Sequence, residues 1–306
     1  MIDLFRASEY ARLHKGKVMV FKIGGSCLAR ASQRRALARQ LSVVSAFGVR
    51  AVVVHGGGPQ TAEVQELLGE TPRKVDGRRV TSEVGLRALR LATMGELNTA
   101  LATGLTAEGA PAVGLCAASA NLVRARRRAP MQTSEGPVDF GLVGDVEAVD
   151  PGPVLALLDA GLVPVIGPPA ADGEGGFLNV NADVLAAELA TALEASKLVL
   201  VSDMPGILRE PSDPHSLLGA LSLFELEELA ASGALEGGMS VKSKAIRRAL
   251  EGGVERVHVV SGLSPEALLG ELYTTQGTGT LVTREREGAP ASSTSSAGFI
   301  EIEERP

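Results

Sequence analysis

VMVFKIGGS beginning at Val18 and AVVVHGGGPQ beginning at Ala51 decide the fold. Each is a short, largely β-branched run that ends at glycines. A run this apolar, with no polar alternation, is what a strand buried on both faces requires. The pattern recurs at Ala112 (AVGL), Leu162 (LVPVIG), Lys197 (KLVLVSD) and Arg256 (RVHVVSG). Between these runs lie stretches of helical periodicity over 33–46, 59–68, 82–108, 153–160, 183–193, 222–231 and 240–251. Strand followed by helix, repeated, predicts right-handed crossovers and an open, mostly parallel β-sheet sandwiched by helices, a three-layer α/β arrangement.

Composition agrees. Hydrophobic residues make up 45% of the 306 but aromatics only 3%, with no Trp, so the core must be built from Val, Leu, Ile and Ala. The length suits two lobes or one large domain. A net charge of -6 with interspersed signs supplies no field for nucleic acid and favours a small-molecule partner. Cys27 and Cys116 make no disulfide framework and fit a reducing compartment. No basic-then-apolar leader opens the chain, and no apolar run reaches the ~18 residues of a membrane span. The cytosol is the expected location.

Three stretches depart from the rhythm. Ile2, Phe5, Tyr10 and Leu13 lie at near-helical spacing, so residues 1–17 read as a helical arm before the main domain of 18–283. NLVRARRRAP at Asn121 and VDFGLVGDVEAV at Val138 read as shorter strands in a hairpin lying on the parallel sheet. Residues 284–306, rich in Ser, Ala, Glu and Pro, read as a disordered tail.

In an open parallel sheet, ligands bind beyond the carboxyl ends of the strands. There stand Gly24 and Gly25, then Gly56, Gly57 and Gly58, then Ser202 and Asp203 with Pro205 and Gly206. One glycine pair need only make a tight turn. Two glycine turns, each closing a strand, point to backbone N–H groups cradling two anionic groups. Neither GxxxxGK[ST] nor GxGxxG occurs, so a phosphate site has to be assembled from separate turns and lysines. Lys22 lies within an apolar strand, where an ammonium is costly unless an anion meets it. Lys242 falls on the first turn of the 240–251 helix, a position that prefers acidic residues and so hints at an anionic ligand. Lys244 beside it shows the alternative, a solvated helix face. In FLNVNAD, beginning at Phe177, Asn179, Asn181 and Asp183 alternate along an extended stretch and can face one side. Capping of the following helix accounts for one of them, not three. His55 reads as support for its turn, and His14 and His215 as surface residues.

KIGGS, HGGGPQ, DGRRVTS, VDFGLVGDV, FLNVNAD, VSDMPGIL and EGGMSVKSKA, in this order over 18–283, resemble the amino acid kinase superfamily, and closely its N-acetyl-L-glutamate kinase family. The resemblance implies the amino acid kinase fold, with an acyl-amino-acid lobe over 18–170 and an ATP lobe over 171–283. It implies phosphorylation of the side-chain carboxylate of N-acetyl-L-glutamate by ATP with Mg2+, the metal carried by the nucleotide rather than by protein ligands. Lys22 and Lys242 would stabilise the transferring phosphoryl group and Asp183 would hold the lysines. Gly24, Gly25, Gly57 and Gly58 would donate N–H groups, Gly24 and Gly25 toward the nucleotide and Gly57 and Gly58 toward the substrate. Arg79 would clamp the substrate's α-carboxylate, with Asn179 and Asn181 reading its polar groups. Asp203, Met204, Pro205, Gly206, Ile207 and Leu208 would hold the nucleotide, and Ala234, Leu235 and Glu236 its adenine side.

A further likeness, in VHVVSGLSPEALLGELYTTQGTGTLV beginning at Val257, implies an L-arginine effector site at Lys197, His258, Glu271 and Gly277. It also implies a homodimer that the N-terminal helix extends to a hexamer. An edge strand and packing helix are the alternative for the same residues. The chain departs from the family where Cys116-Ala117-Ala118-Ser119-Ala120 replaces a Gly/Asp-rich turn, followed by Arg124, Arg126, Arg127 and Arg128 on a solvated hairpin or at an anion. Two rival functions stand beside the kinase reading. One is a kinase for a related acyl-amino acid such as N-acetyl-aminoadipate. The other is a non-catalytic module sensing arginine or another amino acid, against which the retained lysines and Asp183 argue.

Overall fold

The β-branched runs do become strands, and their length-two periodicity sorts the side chains into two cores. In the computed structural model, which describes residues 4–213, 215–235 and 237–285, Val20 and Lys22 of the Val18–Ile23 strand face one side of the sheet. Met19, Phe21 and Ile23 face the other. The first face packs on helices Gly152–Asp159, Ala182–Ala192, Leu223–Ala231 and Gly237–Glu251 through Leu185, Leu189, Leu226, Ile246 and Leu250. The second packs on helices Leu4–His14, Ala31–Ala46, Thr99–Ala107 and Ala267–Tyr273 through Leu37, Leu41, Leu101 and Leu272. The result is the expected three-layer α/β architecture.

The eight-stranded sheet runs in the order Ala220–Ser222, Thr280–Thr283, Arg256–Ser261, Lys197–Ser202, Val18–Ile23, Arg50–His55, Val163–Gly167, Ala112–Cys116. Every pairing is parallel except that of Arg256–Ser261 with Thr280–Thr283. The three central strands stand in register, with Ile23 opposite both Val201 and His55, so their carboxyl ends open on one edge.

Three expectations are corrected. The 121–149 hairpin forms and shares a core with the parallel sheet through Val123 and Ala125, but it is not a lone excursion. Val123–Arg127 pairs antiparallel with Gly144–Val149, and Ala170–Ala171 and Phe177–Leu178 complete a separate four-stranded sheet. Three of its four arginines are matched by acids, Arg124 with Glu147 (3.0 Å), Arg127 with Asp139 (3.1 Å) and Arg128 with Asp145 (2.5 Å), which favours the solvated hairpin over an anion site. His14 is not a surface residue. It is 7% exposed, its Nε2 lies 3.1 Å from Leu272 O, and its ring meets Tyr273 edge-on, so the N-terminal helix is seated on the Ala267–Tyr273 helix. The 240–251 helix begins at Gly237, which moves Lys242 out of the first turn and removes the macrodipole argument for it. The tail from residue 286 onward lies outside the described residues. Arg284 donates to Leu250 O (2.8 Å) and Glu251 O (3.1 Å).

Candidate active site

Two glycine turns meet at the carboxyl ends of adjacent strands. Gly24 N–H donates to Val201 O (2.9 Å) and Gly56 N–H to Ile23 O (3.0 Å), continuing the parallel ladder past the last strand residues. A Cβ on Gly25 would lie 3.0 Å from Gly57 Cα and from Gly58 N, so the turns touch through bare backbone. Gln60 ties them with an Nε2–H bond to Gly25 O at 2.9 Å. Gly58 opens the Gly58–Leu67 helix, whose first N–H groups have no intrahelical partners and face any anion placed there.

The strand period puts Lys22 on the face covered by the Ala182–Ala192 helix, and there it meets its partner. Lys22 Nζ is 2.7 Å from Asp183 Oδ1, both side chains below a tenth exposed. Burial pulls the Lys242 ammonium below its usual range, Asp183 and Asp203 push it back up, and Lys22 pulls it down. The four charged groups thus share one electrostatic neighbourhood, where an arriving polyanion restores what desolvation removes. Lys244 is exposed, the solvated residue that its neighbour is not.

The FLNVNAD stretch divides its work rather than pointing one way. Asn179 Nδ2 donates to Thr81 Oγ1 (3.0 Å). Asn181 caps its helix, accepting from Asp183 N (2.8 Å) and Val184 N (3.1 Å), so capping accounts for its oxygen. Arg79, half-buried, donates from Nη1 to Gln65 Oε1 (2.8 Å) and from Nη2 to Gly58 O (2.9 Å), which ties its guanidinium to the second glycine turn. Gly141 threads between these groups with φ +73, where a Cβ would stand 2.4 Å from Thr81 O, so both its dihedral and the space require glycine.

On the other side of the turns, Asp203 and Met204 are exposed at the end of the Lys197–Ser202 strand. Gly206 then turns the chain inward, packed so closely on Leu217 and Thr280 that a Cβ would stand 2.6 Å from each. Ile207 and Leu208 are buried, 0% and 6% exposed, and Leu235 is 7% exposed. Of this set, therefore, Asp203, Met204 and Pro205 offer side chains, and the others offer backbone. Ala234 is half-buried, and Glu236 lies outside the described residues.

At the opposite edge of the sheet, a cavity of about 480 Å³ is lined by Tyr10, His14, Lys17, Lys197, His258 and Glu271, among others. His258 Nδ1 lies 2.7 Å from Glu271 Oε1, and Lys197 Nζ lies 3.5 Å from His258 Nε2. Glu271 Oε2 accepts from Thr278 N and Gly279 N, and Gly277, at φ +63, turns the chain past it. Burial holds the His258 imidazole below its usual range, although Glu271 opposes it. The four residues expected at an effector site are brought together.

The sequence does not single out Gln60, Gln65 or Thr81. For Gln60 and Thr81 the signal lies in the quoted HGGGPQ and RVTS segments, polar residues close to the strand-end glycines and to Arg79, whereas Gln65 lies outside both and has no such signal. His55 behaves as expected. It is fully buried, Nδ1 lies 3.2 Å from Gly56 O, and Nε2 lies 3.0 Å from Asn98 Nδ2. Since Asn98 Nδ2 also donates to Val165 O, the ring accepts at Nε2 and carries its proton on Nδ1. Burial pulls its pKa from 6.5 to about 4. The folded state therefore refuses a proton that the unfolded chain takes up. Stability from this residue is fully present above pH 6.5 and falls by on the order of 3 kcal/mol as pH drops through about 4. Urea unfolding between pH 4 and 7 should show this slope and should lose part of it in His55→Gln, the remainder coming from His14, which burial also lowers from 6.5 to about 4; an equal slope in the variant overturns the assignment.

The profile of the Amino acid kinase family matches residues 17–261. An acetylglutamate kinase of Myxococcus xanthus is 44% identical over 94% of this chain and 96% of its own length. Another, of Symbiobacterium thermophilum, is 39% identical over 92% and 96%. Among solved structures, an N-acetylglutamate synthase of Neisseria gonorrhoeae, complexed with coenzyme A and N-acetyl-glutamate, matches with a TM-score of 0.80 at 28% identity over 92% of this chain. The chain spans 63% of that synthase's length. A Giardia carbamate kinase shares the fold with a TM-score of 0.62 at 15% identity, over 88% of this chain and 99% of its own. With its sheet order, its paired glycine turns and these matches along nearly its whole length, the chain belongs to the amino acid kinase family.

Proposed function

We propose that the chain transfers the γ-phosphoryl group of ATP to the side-chain carboxylate of N-acetyl-L-glutamate, giving N-acetyl-glutamyl phosphate in arginine biosynthesis. The observation that carries this reading is the buried Lys22–Asp183 pair beside two abutting glycine turns. The shared name of the relatives supports N-acetylglutamate over N-acetyl-aminoadipate as acceptor. The chain is an enzyme, a kinase, and the sensing-module alternative is set aside.

A carboxylate is already a nucleophile, so the reaction needs no general base. One carboxylate oxygen attacks the γ-phosphorus, the bond to the β,γ-bridging oxygen breaks, its electron pair leaves with ADP, and no proton moves. Catalysis reduces to holding two anions in line and neutralising their repulsion. Gly57 and Gly58 receive the acceptor, and Gly24 and Gly25 the phosphates. Lys22 and Lys242 balance the charge on the transferring group, and Asp183 fixes Lys22. Mg2+ would arrive with ATP, held by the nucleotide rather than by protein side chains, and would add positive charge beside Lys22 and Lys242. Arg79 receives the substrate's α-carboxylate, and Asn179 and Asn181 meet its polar groups. The acyl-amino acid is assigned to residues 18–170. The nucleotide is assigned to 171–283, along Asp203 to Leu208 with Ala234 and Leu235.

The cavity at Lys197, His258, Glu271 and Gly277 is assigned to L-arginine, whose guanidinium suits the Glu271 carboxylate. Phe5 and Leu13, 88% and 67% exposed, are the residues that an interlaced N-terminal helix would cover in a hexamer built of three dimers. The cytosol suits a chain with two free cysteines.

The test is ADP release with ATP, Mg2+ and N-acetylglutamate, with hydroxylamine trapping the acyl phosphate and N-acetyl-aminoadipate run beside it. Turnover with N-acetylglutamate is expected, and added arginine is expected to lower it. Absence of turnover with either acyl-amino acid, from folded protein, sinks the assignment.

A further inference from the structure

Gln65 sits on the Gly58–Leu67 helix yet is 1% exposed, and a polar side chain so buried must be satisfied. Its two partners leave no ambiguity about its amide. Oε1 accepts from Arg79 Nη1 at 2.8 Å, and Nε2 donates to Glu70 Oε1 at 2.6 Å. A guanidinium only donates and an ionised carboxylate only accepts, so the flipped orientation would break both bonds. Glu70 Oε1 also accepts from Ser82 Oγ (2.5 Å), and Ser82 Oγ in turn accepts from Gly85 N (2.9 Å) as cap of the Glu83–Leu89 helix. That helix presses directly on the amide, since a Cβ on Gly85 would lie 3.2 Å from Gln65 Nε2. One residue earlier, Thr81 holds Asn179. The Thr81-Ser82 step thus serves two of the side chains assigned to the acyl-amino acid, Arg79 and Asn179.

We propose that Gln65, backed by Glu70, is a positioning residue for acyl-amino-acid recognition, orienting Arg79 while leaving its positive charge unspent. The inference rests on the reading that Arg79 receives the substrate's carboxylate. The chemistry explains why an amide stands here. Burial already lowers the pKa of the Arg79 guanidinium. A carboxylate in direct contact would hold it equally well but would neutralise it and compete with the substrate. A neutral amide transmits the orientation and keeps the Glu70 charge one side chain away, so an incoming carboxylate still meets a net cation.

Kinetics on the full chain test this with Gln65→Leu, Gln65→Glu and Arg79→Ala. Gln65→Leu is expected to raise KM for N-acetylglutamate about tenfold, the worth of a hydrogen bond to a charged group, with KM for ATP within about twofold. Gln65→Glu places two carboxylates together. Its KM should rise with pH as both ionise and recover as pH falls and they share a proton, whereas the unsubstituted chain stays flat over the same range. A purely structural role would lower thermal stability and move both KM values without that pH profile. Unchanged KM for N-acetylglutamate in both Gln65 variants, with KM raised in Arg79→Ala, overturns the relay and leaves the site standing. Unchanged KM in Arg79→Ala as well overturns the reading of the site.

Discussion

Lys22→Ala is expected to lower kcat by about a thousandfold, the loss that follows removal of one preorganised donor from developing charge, while the chain still binds nucleotide. A second effect accompanies it. Removing one partner of a buried ion pair strands the other, and Asp183, 7% exposed, would then cost about 3–5 kcal/mol of stability. Loss of activity alone therefore does not separate catalysis from folding. The double variant Lys22→Met with Asp183→Leu does, because a buried pair replaced by apolar groups of similar volume often regains stability. Recovery of the melting temperature without recovery of turnover is the expected pattern. Turnover that returns together with stability would reduce the pair to a structural strut and remove the central residue from the mechanism.

That pair also marks where the sequence stops being sufficient. A lysine inside VMVFKI announces that some anion must meet it, because the strand period and the cost of a buried ammonium are local facts. Which anion meets it is set by the crossover that lays the Ala182–Ala192 helix on the Val20 and Lys22 face, and no local pattern encodes that contact. The same limit explains His14, whose helix-end position reads as solvent until Tyr273, from the far end of the chain, closes over it. Gln65 reads as a polar helix residue because its burial comes from the Glu83–Leu89 helix packing across it. The second sheet escapes notice for another reason. Ala170–Ala171 and Phe177–Leu178 contribute two residues each, too few to carry a period. Lys242 is misplaced by a turn because Gly237 and Gly238 read as breakers, yet the helix already begins at them, Gly237 opening it at φ +52. The strand-end glycines, by contrast, are legible because each follows directly on an unmistakable strand.

Gly25→Ala should separate the geometry of transfer from the binding of either substrate. Gly25 is not among the glycines with positive φ, so the objection to a side chain there is space alone. Its Cβ would meet Gly57 Cα, Gly58 N and Gln60 Oε1, each at 3.0 Å, and the first two are backbone atoms that can yield only by moving their turn. The turns would part by a few tenths of an ångström, lengthening the path between acceptor and donor while each turn keeps its own shape. In-line transfer is sensitive to such a shift, since a misplacement near 1 Å costs about a hundredfold. A loss in kcat of about ten- to a hundredfold is expected, with both KM values nearly unchanged. Gly57→Ala makes an instructive contrast. Its Cβ would stand 2.7 Å from Thr93 Cγ2 and 2.9 Å from Leu97 Cδ1, buried side chains on the inner face of the π-helix Arg90–Asn98. Overpacking there should cost about 1–3 kcal/mol of stability as well as activity. If Gly25→Ala keeps full kcat, the contact between the turns does not set the distance over which the phosphoryl group travels, and the two cradles work independently of their spacing.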